Sequence, residues 1–327
     1  MRLRRGNDFK RRDCCSIFSV MATFPFSRPR PRSAGDSAGV LGSRRFSRKV
    51  GRFGGWFLAV VVSFSVCAQF RRGSGGANSP RQTDPNMPAE YFWEINPRFH
   101  EDVFTFARLE YERHSRGRGG YWDTDSPDAD YNIALRLHQM TSLSVRPGFN
   151  HISITEQNLA NYPFVYMIEP GRLGLTEDEV VALRRYFLNG GFMMVDDFWG
   201  NREWDNFAAE MRRVFSDLEW VELEADHPIF HSVFDLKEKP QMPAIENYIY
   251  RGMTFEPRYS NGGMDPSEPH YRALLDPKGR IMVIACHNTD LGDGWEREGE
   301  DERYFRKFSE AMAYPMAINI FFYAMTH

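Results

Sequence analysis

The clearest structural signal in this chain is the stretch Asn189-Gly190-Gly191-Phe192-Met193-Met194-Val195-Asp196-Asp197-Phe198-Trp199-Gly200. Its glycine pair can end a helix in a left-handed conformation, and the apolar residues 192–195 after it read as a buried strand. Asp196 and Asp197 then stand where that strand runs into the next helix. Open α/β sheets place ligand-binding and catalytic groups at such junctions. The stretch therefore predicts a strand, a turn and a helix, with a site at the two aspartates.

The sequence on both sides of this stretch repeats the same alternation. Residues 163–168 are apolar and predict a buried strand, and Thr176 and Glu179 form a capping box that begins the helix ending at the glycine pair. Beyond the aspartates, apolar residues recur at helical spacing over 203–215. Alternating strands and helices predict right-handed crossovers, hence a mainly parallel sheet with helices on both faces.

The remaining elements extend this α/β pattern to both ends of the domain. Residues 104–111 have the β-branched and aromatic character of a first strand, and a helix follows from an N-cap at Asp130 to about residue 141. Residues 271–275 and 280–285 flank a turn at 276–279 and predict a C-terminal hairpin. A terminal helix begins near residue 302 and is interrupted at Pro315.

The N-terminal part of the chain differs in charge from the rest. Residues 1–68 carry fourteen Lys and Arg against three Asp and Glu, whereas residues 69–327 carry 27 against 41. An apolar run at 56–66 follows a basic stretch and precedes the small residue Ala68. This layout predicts a basic leader, 1–68, that contains a secretory signal peptide with its hydrophobic region at 56–66. An uncleaved segment anchored in the inner membrane is the alternative.

Composition divides the rest of the chain into a linker and one domain. Residues 69–90 contain a stretch rich in Gly, Ser, Pro and charge, which predicts a flexible linker, and 91–327 suits a single α/β domain. The acidic balance argues against nucleic acid as a partner. Cys286 is the one cysteine after residue 68, so no disulfide within the exported part is expected.

Two groups of acidic residues are candidates for the site, and each has a structural alternative. One of Asp196 and Asp197 either caps the following helix or faces a crevice as a metal ligand, a sugar-hydroxyl acceptor or a general base. Asp123, Asp125, Asp128 and Asp130 have the alternating spacing of an oxygen-ligand loop. They lack the central Gly and the distal Glu of a calcium-binding loop, so a turn before a helix cap fits them better. Trp122 reads either as a core residue or as a platform for a sugar ring.

Histidines near predicted strand ends complete the candidate set. His227 and His231 are four residues apart, but Pro228 between them argues against a helix. His287 follows an apolar strand and precedes Asp290, so it lies where a strand ends. Its neighbour Cys286 is a weak candidate for a nucleophile, because adjacent side chains on a strand point to opposite faces.

Four strings in order resemble one bacterial family. They are residues 122–130 (Trp-Asp-Thr-Asp-Ser-Pro-Asp-Ala-Asp), residues 189–200, residues 226–231 (Asp-His-Pro-Ile-Phe-His) and residues 288–293 (Asn-Thr-Asp-Leu-Gly-Asp). Together they resemble the domain of unknown function family 4159. The resemblance implies a flavodoxin-like layered sheet related to class I glutamine amidotransferases. In that wider group a nucleophilic Cys occupies the tight turn after a strand, where this chain has Asp196 and Asp197.

The expected function is therefore binding rather than amidotransferase or esterase chemistry. We expect an exported domain, periplasmic or extracellular, that binds a carbohydrate, a peptide or a protein of the cell envelope. The alternative is a metal-assisted hydrolase that uses Asp196 or Asp197 with His227 or His287. The candidate ligands for Zn, Mn or Mg are Asp197, His227 and His287. The candidate pocket comprises Trp122, Asp123, Asp125, Asp196, Asp197, Trp199, His227, His287 and Asp290. Its convergence at one end of the sheet is the geometric test.

Overall fold

The computed structural model describes residues 89–327 except 101, 113–120 and 258–265. The predicted leader, and all of the predicted linker up to residue 88, lie outside the described residues. Within the described parts, no helix has both the length and the apolar character that are needed to cross a bilayer.

A seven-stranded sheet forms the centre of the domain. In chain order the strands are β1 (Phe104–Glu110), β2 (Val145–Ser153), β3 (Phe164–Ile168), β4 (Phe192–Phe198), β5 (Val221–Glu222), β6 (His270–Leu275) and β7 (Ile281–His287). Their order across the sheet is β2-β1-β3-β4-β7-β6-β5. Strands β1 to β4 and β7 are parallel, whereas β6 runs antiparallel to both β7 and β5. The prediction of a mainly parallel α/β sheet is confirmed, as is the hairpin.

Helices cover both faces of this sheet. They are α1 (Asp128–Met140), α2 (Glu177–Leu188), α3 (Gly200–Val214), α4 (Ile245–Arg251), α5 (Leu291–Glu296), α6 (Glu302–Tyr304) and α7 (Tyr314–Thr326). Apolar side chains of α1, α5 and α7 pack on one face, and those of α2 and α3 pack on the other. Neighbouring residues of a strand alternate between the two layers, as Met194 and Val195 of β4 do.

Local sequence signals account for the ends of several elements. The Thr176 hydroxyl accepts a hydrogen bond from the Glu179 amide, and the Glu179 carboxylate accepts one from the Thr176 amide, so the predicted capping box is confirmed. Gly190 follows α2 with a φ of 100°. Helix α3 begins at Gly200 with Trp199 as its N-cap, and the Trp199 side chain makes no capping hydrogen bond. Neither Asp196 nor Asp197 caps this helix, contrary to that alternative of the prediction.

Three further predictions about elements need correction. Helix α1 begins at Asp128, and Asp130 lies inside it as the buried partner of Arg108 rather than as its N-cap. The terminal helix is not interrupted at Pro315. Instead, residues Phe305–Ala313 form a π-helix that continues into α7, whose second residue is Pro315. Strand β2, which contains Pro147 and Gly148, was not predicted.

Candidate functional site

Acidic side chains gather at the carboxyl ends of three neighbouring parallel strands. Glu169 directly follows β3, Asp196 and Asp197 lie at the end of β4, and Asp290 and Asp293 follow β7. Asp125 joins them from the loop before α1, since its charge acts on both Asp197 and Asp290. This is the crevice edge that doubly covered parallel sheets use for ligands. We call these six residues the carboxylate cluster.

The backbone at this edge is held in an uncommon conformation. Four non-glycine residues in the described parts of the chain have positive φ, namely Asp125 (60°), Glu169 (49°), Asp197 (52°) and Asn288 (60°). Three belong to the carboxylate cluster and the fourth precedes Asp290 by two residues. Left-handed backbone costs of order 1 kcal/mol per residue and persists only where surrounding contacts hold it. The turns that display the carboxylates are therefore imposed by tertiary contacts.

Three of the carboxylates are close enough to share one cation. Single oxygen atoms from Asp125, Asp290 and Asp293 all lie within 4.8 Å of one another. The Asp290 Oδ1 atom accepts the Asp293 amide at 2.8 Å, and Asp293 Oδ2 accepts the Ile245 amide at 2.6 Å. Each of these two carboxylates is thus held through one of its own oxygen atoms. The Oδ2 atom of Asp125 is buried without a hydrogen-bond partner.

Asp196 lies beside this group, on the α5 side of the sheet. Its Oδ2 atom accepts the Gly292 amide at 2.9 Å and the Tyr166 hydroxyl at 3.2 Å, while its buried Oδ1 atom has no partner. A Cβ on Gly292 would lie 2.5 Å from Asp125 Oδ2 and 3.0 Å from the Tyr166 hydroxyl. Only glycine therefore lets the Asp125 carboxylate approach α5 this closely.

Burial disfavours the charged form of the five aspartates of the cluster. Burial raises the pKa of Asp196 to about 7 and that of Asp293 to about 7. It also raises the pKa values of Asp125, Asp197 and Asp290 well above the usual range, and repulsion from neighbouring carboxylates adds to the effect. The Arg108 charge opposes this shift at Asp125. Nearby positive groups do not fully balance the negative charge of the cluster. A bound cation would balance it.

Arg108 supports the loop that carries Asp125. It lies in β1, and its side chain is fully buried, with Nε 2.8 Å from Asp130 Oδ1. Its Nη1 atom donates to the carbonyls of Trp122 (3.2 Å) and Thr124 (2.7 Å). The guanidinium therefore ties the loop at 122–124 to β1 and α1.

The structure brings together four of the nine predicted site residues, namely Asp125, Asp196, Asp197 and Asp290. Trp199 adjoins them, because its indole Nε1 donates to Asp197 Oδ1 at 2.8 Å. Asp123 is exposed on the same loop as Asp125. Trp122 is on the same loop, and its ring centre lies 4.9 Å from that of His151.

His287 and His227 do not join the cluster, which corrects the predicted metal set. The His287 ring contacts Phe198 and Trp204 on the α3 face, because Cys286 before it faces the opposite layer. Its Nε2 atom lies 3.1 Å from the Gly200 carbonyl. Burial, with the nearby charge of Arg272, lowers the pKa of His287 to about 3, so the imidazole is neutral.

His227 lies at the other end of the domain. Its ring centre is 5.9 Å from that of Tyr323, near the end of α7. Phe321 of the same helix packs on Phe104 and Phe164, the first residues of β1 and β3. The ring is therefore at the amino ends of the strands, opposite the carboxylate cluster.

The buried thiol of Cys286 offers no nucleophile. It belongs to the core layer beneath α1 and α7, and burial raises its pKa well above the ordinary value.

Glu169, Asp293 and Arg108 are site residues that the candidate list omitted. For Asp293 the available signal was its repeat of the Asp290 carboxylate at a spacing of three, which is one turn of a helix.

Comparison with known proteins agrees with the sequence resemblance. No curated protein matches the chain. A family model described as a domain of unknown function matches residues 105–325, from the first strand to the end of the last helix, and so includes the whole carboxylate cluster. The chain therefore belongs to the family of the domain of unknown function DUF4159.

Proposed function

We propose that this is a ligand-binding domain whose carboxylate cluster binds a divalent cation. The observation that carries the proposal is the convergence of Asp125, Asp290 and Asp293, whose oxygens lie within 4.8 Å of one another. The buried, unpartnered Oδ2 atom of Asp125 is an independent indication of a missing electropositive partner. A cation would satisfy it and relieve the repulsion among the neighbouring carboxylates.

The donor set favours a hard cation. Every candidate ligand atom is a carboxylate oxygen, and the histidines that would favour Zn²⁺ lie elsewhere. Carboxylate oxygens suit Ca²⁺, Mn²⁺ and Mg²⁺. Because the cluster is buried and Mg²⁺ gives up its water reluctantly, Ca²⁺ and Mn²⁺ should bind more tightly than Mg²⁺.

The wider fold relationship and the cellular location belong to the same proposal. The left-handed backbone at Asp197, near the end of β4 and just before α3, supports a relation to the amidotransferase-like fold, where a strained strand-to-helix turn carries the nucleophile. A carboxylate here instead of Cys or Ser supports binding over acyl transfer. The basic leader with its apolar run at 56–66 supports export to the bacterial cell envelope.

Calorimetric titration with Ca²⁺, Mn²⁺, Mg²⁺ and Zn²⁺ tests the cation site. The Asp125→Asn variant should bind Ca²⁺ or Mn²⁺ at least about tenfold more weakly, since one charged ligand is lost. Asp123→Asn is the matched control, because it removes an exposed carboxylate from the same loop and should leave the affinity unchanged. Equal weakening in both variants, or no binding by the unaltered protein, would contradict the proposal.

Gly292→Ala provides a steric test of the same site. The added methyl would lie 2.5 Å from Asp125 Oδ2, so that carboxylate must move and cation affinity should fall about tenfold or more. Gly299→Ala is the control, since a Cβ there meets no atom within 4 Å. Unchanged affinity in the Gly292 variant would place the cation elsewhere.

Metal-assisted hydrolysis is a second candidate, favoured by Asp196. This carboxylate adjoins the three proposed ligands, and its buried Oδ1 atom has no hydrogen-bond partner. It would accept a proton from an attacking water. Assays of phosphate and acyl esters with added Mn²⁺ test this candidate. A rate that Asp196→Asn leaves unchanged would count against it.

A further inference from the structure

Asn288 joins the two turns that display most of the carboxylate cluster. It directly follows β7, is fully buried and has a φ of 60°. Its Oδ1 atom accepts the Gly200 amide at 2.8 Å, and its Nδ2 atom donates to the Glu268 carbonyl at 2.8 Å. Its own amide donates to the Phe198 carbonyl at 2.9 Å, and its carbonyl accepts Gln241 Nε2 at 2.9 Å.

These bonds act where the pairing of β4 with β7 is irregular. The irregularity lies between Val195 and Phe198, and Phe198 pairs with His287, the last residue of β7. Asp196 and Asp197 lie within that irregular segment. Beyond the last pair, the bonds of Asn288 to Phe198 and Gly200 fix the β4–α3 turn relative to the chain that leads to Asp290.

The other side of this chain is held as well. The Thr289 hydroxyl accepts the Met242 amide at 3.2 Å, and the Asp290 amide donates to the Met242 carbonyl at 3.0 Å. Residues 288–290 are therefore anchored to the chain at 241–242 on one side. Asn288 alone of the three bonds to the β4–α3 turn through its side chain.

We propose that Asn288 is a positioning residue that fixes the chain leading to the ligands Asp290 and Asp293 against the β4–α3 turn. The inference rests on the proposed cation-binding function. Asn288 touches no cation itself in this arrangement; it acts through the Gly200 amide and through the backbone that precedes Asp290. This position requires a left-handed backbone and a side chain that both donates and accepts hydrogen bonds. Asparagine meets both requirements, whereas glycine meets only the first.

Asn288→Gly tests the inference, because it keeps the left-handed backbone and removes the side-chain bonds to Gly200 and Glu268. Ca²⁺ affinity should fall about 10- to 100-fold, the range typical for residues that orient metal ligands. Tb³⁺ luminescence, excited through tryptophan and compared in H₂O and D₂O, should show more water on the ion, because fewer carboxylates reach it together.

Asn319→Ala is the matched control. Asn319 is also buried and makes three hydrogen bonds, to the amides of Val233 and Phe234 and to the Phe234 carbonyl, but it lies in α7 near the opposite end. This variant should lose stability and retain both the affinity and the hydration of the bound ion. A loss of affinity there equal to that of Asn288→Gly would reduce Asn288 to a structural role.

The remaining outcomes separate the inference from the proposed function. If the unaltered protein binds no cation, the proposed function fails and this inference fails with it. If the unaltered protein binds and Asn288→Gly binds equally well with the same hydration, the inference alone fails. Should the glycine variant not fold, Asn288→Ala also removes the bonds to Gly200 and Glu268, and an affinity equal to that of the unaltered protein would overturn the inference.

Discussion

Replacing Arg108 with Met should lower the free energy of unfolding by about 3–5 kcal/mol, because it leaves the Asp130 carboxylate buried without its partner. Both side chains are fully buried, and Nε lies 2.8 Å from Oδ1. Burial alone would lower the pKa of Arg108, but the Asp130 charge and hydrogen bond raise it above the ordinary value. Arg108 is therefore charged in the folded protein, and its removal leaves a buried carboxylate oxygen without its donor. Urea denaturation at neutral pH measures the loss.

The double variant Arg108→Met with Asp130→Asn separates the charge from the packing. It removes the unpaired carboxylate and should recover part of the stability. Recovery stays incomplete, because the carbonyls of Trp122 and Thr124 still lose the donors that hold their loop. A double variant no more stable than Arg108→Met would show that an unpaired charge is not the main cost.

Asp196→Asn should stabilise the metal-free protein at alkaline pH by up to about 4 kcal/mol. Burial raises the pKa of Asp196 from its ordinary value of 3.8 to about 7, so the folded state retains a proton that the unfolded state releases. The free energy of unfolding therefore falls as pH rises from about 4 to 7. Asparagine can still accept the bonds from Gly292 and Tyr166, but it has no proton to lose.

Denaturation of both proteins with a chelator present, at pH 5 and pH 8.5, measures this difference. The Asp196→Asn variant should exceed the unaltered protein in stability by much more at pH 8.5 than at pH 5. A pH-independent difference would mean that Asp196 keeps the same protonation state in the folded and unfolded protein. Saturating Ca²⁺ should reverse the ranking, since only the unaltered carboxylate cluster is fully charged and gains stability from the bound ion.

Local signals carried much of the fold prediction. The capping box at Thr176, the glycine pair after α2 and the apolar runs of β3 and β4 are patterns within a few residues, and each corresponds to an observed element. Strand β2 was missed because Pro147 and Gly148 argue against a strand in the interior of a sheet. Its position at the edge, which no local pattern reports, makes both residues acceptable.

The site was predicted only in part, because its geometry depends on which face of the sheet a residue occupies. Asp196 and Asp197 were found from a strand-to-helix junction that is local. His287 also lies at a strand end, but it faces α3 whereas the carboxylate cluster lies toward α5, and sequence position alone does not distinguish the two faces. Glu169 was missed because a single acidic residue after a strand resembles any surface turn.

The edges of the sheet have a consequence for solubility. An open edge offers unpaired amides and carbonyls to another chain and so promotes aggregation. One edge, β5, is two residues long. The other, β2, lacks an amide at Pro147, and its pairing with β1 is irregular between Phe104 and Phe106. Neither edge is a continuous template for a strand from a second molecule, so both protect a largely parallel sheet against edge-to-edge association.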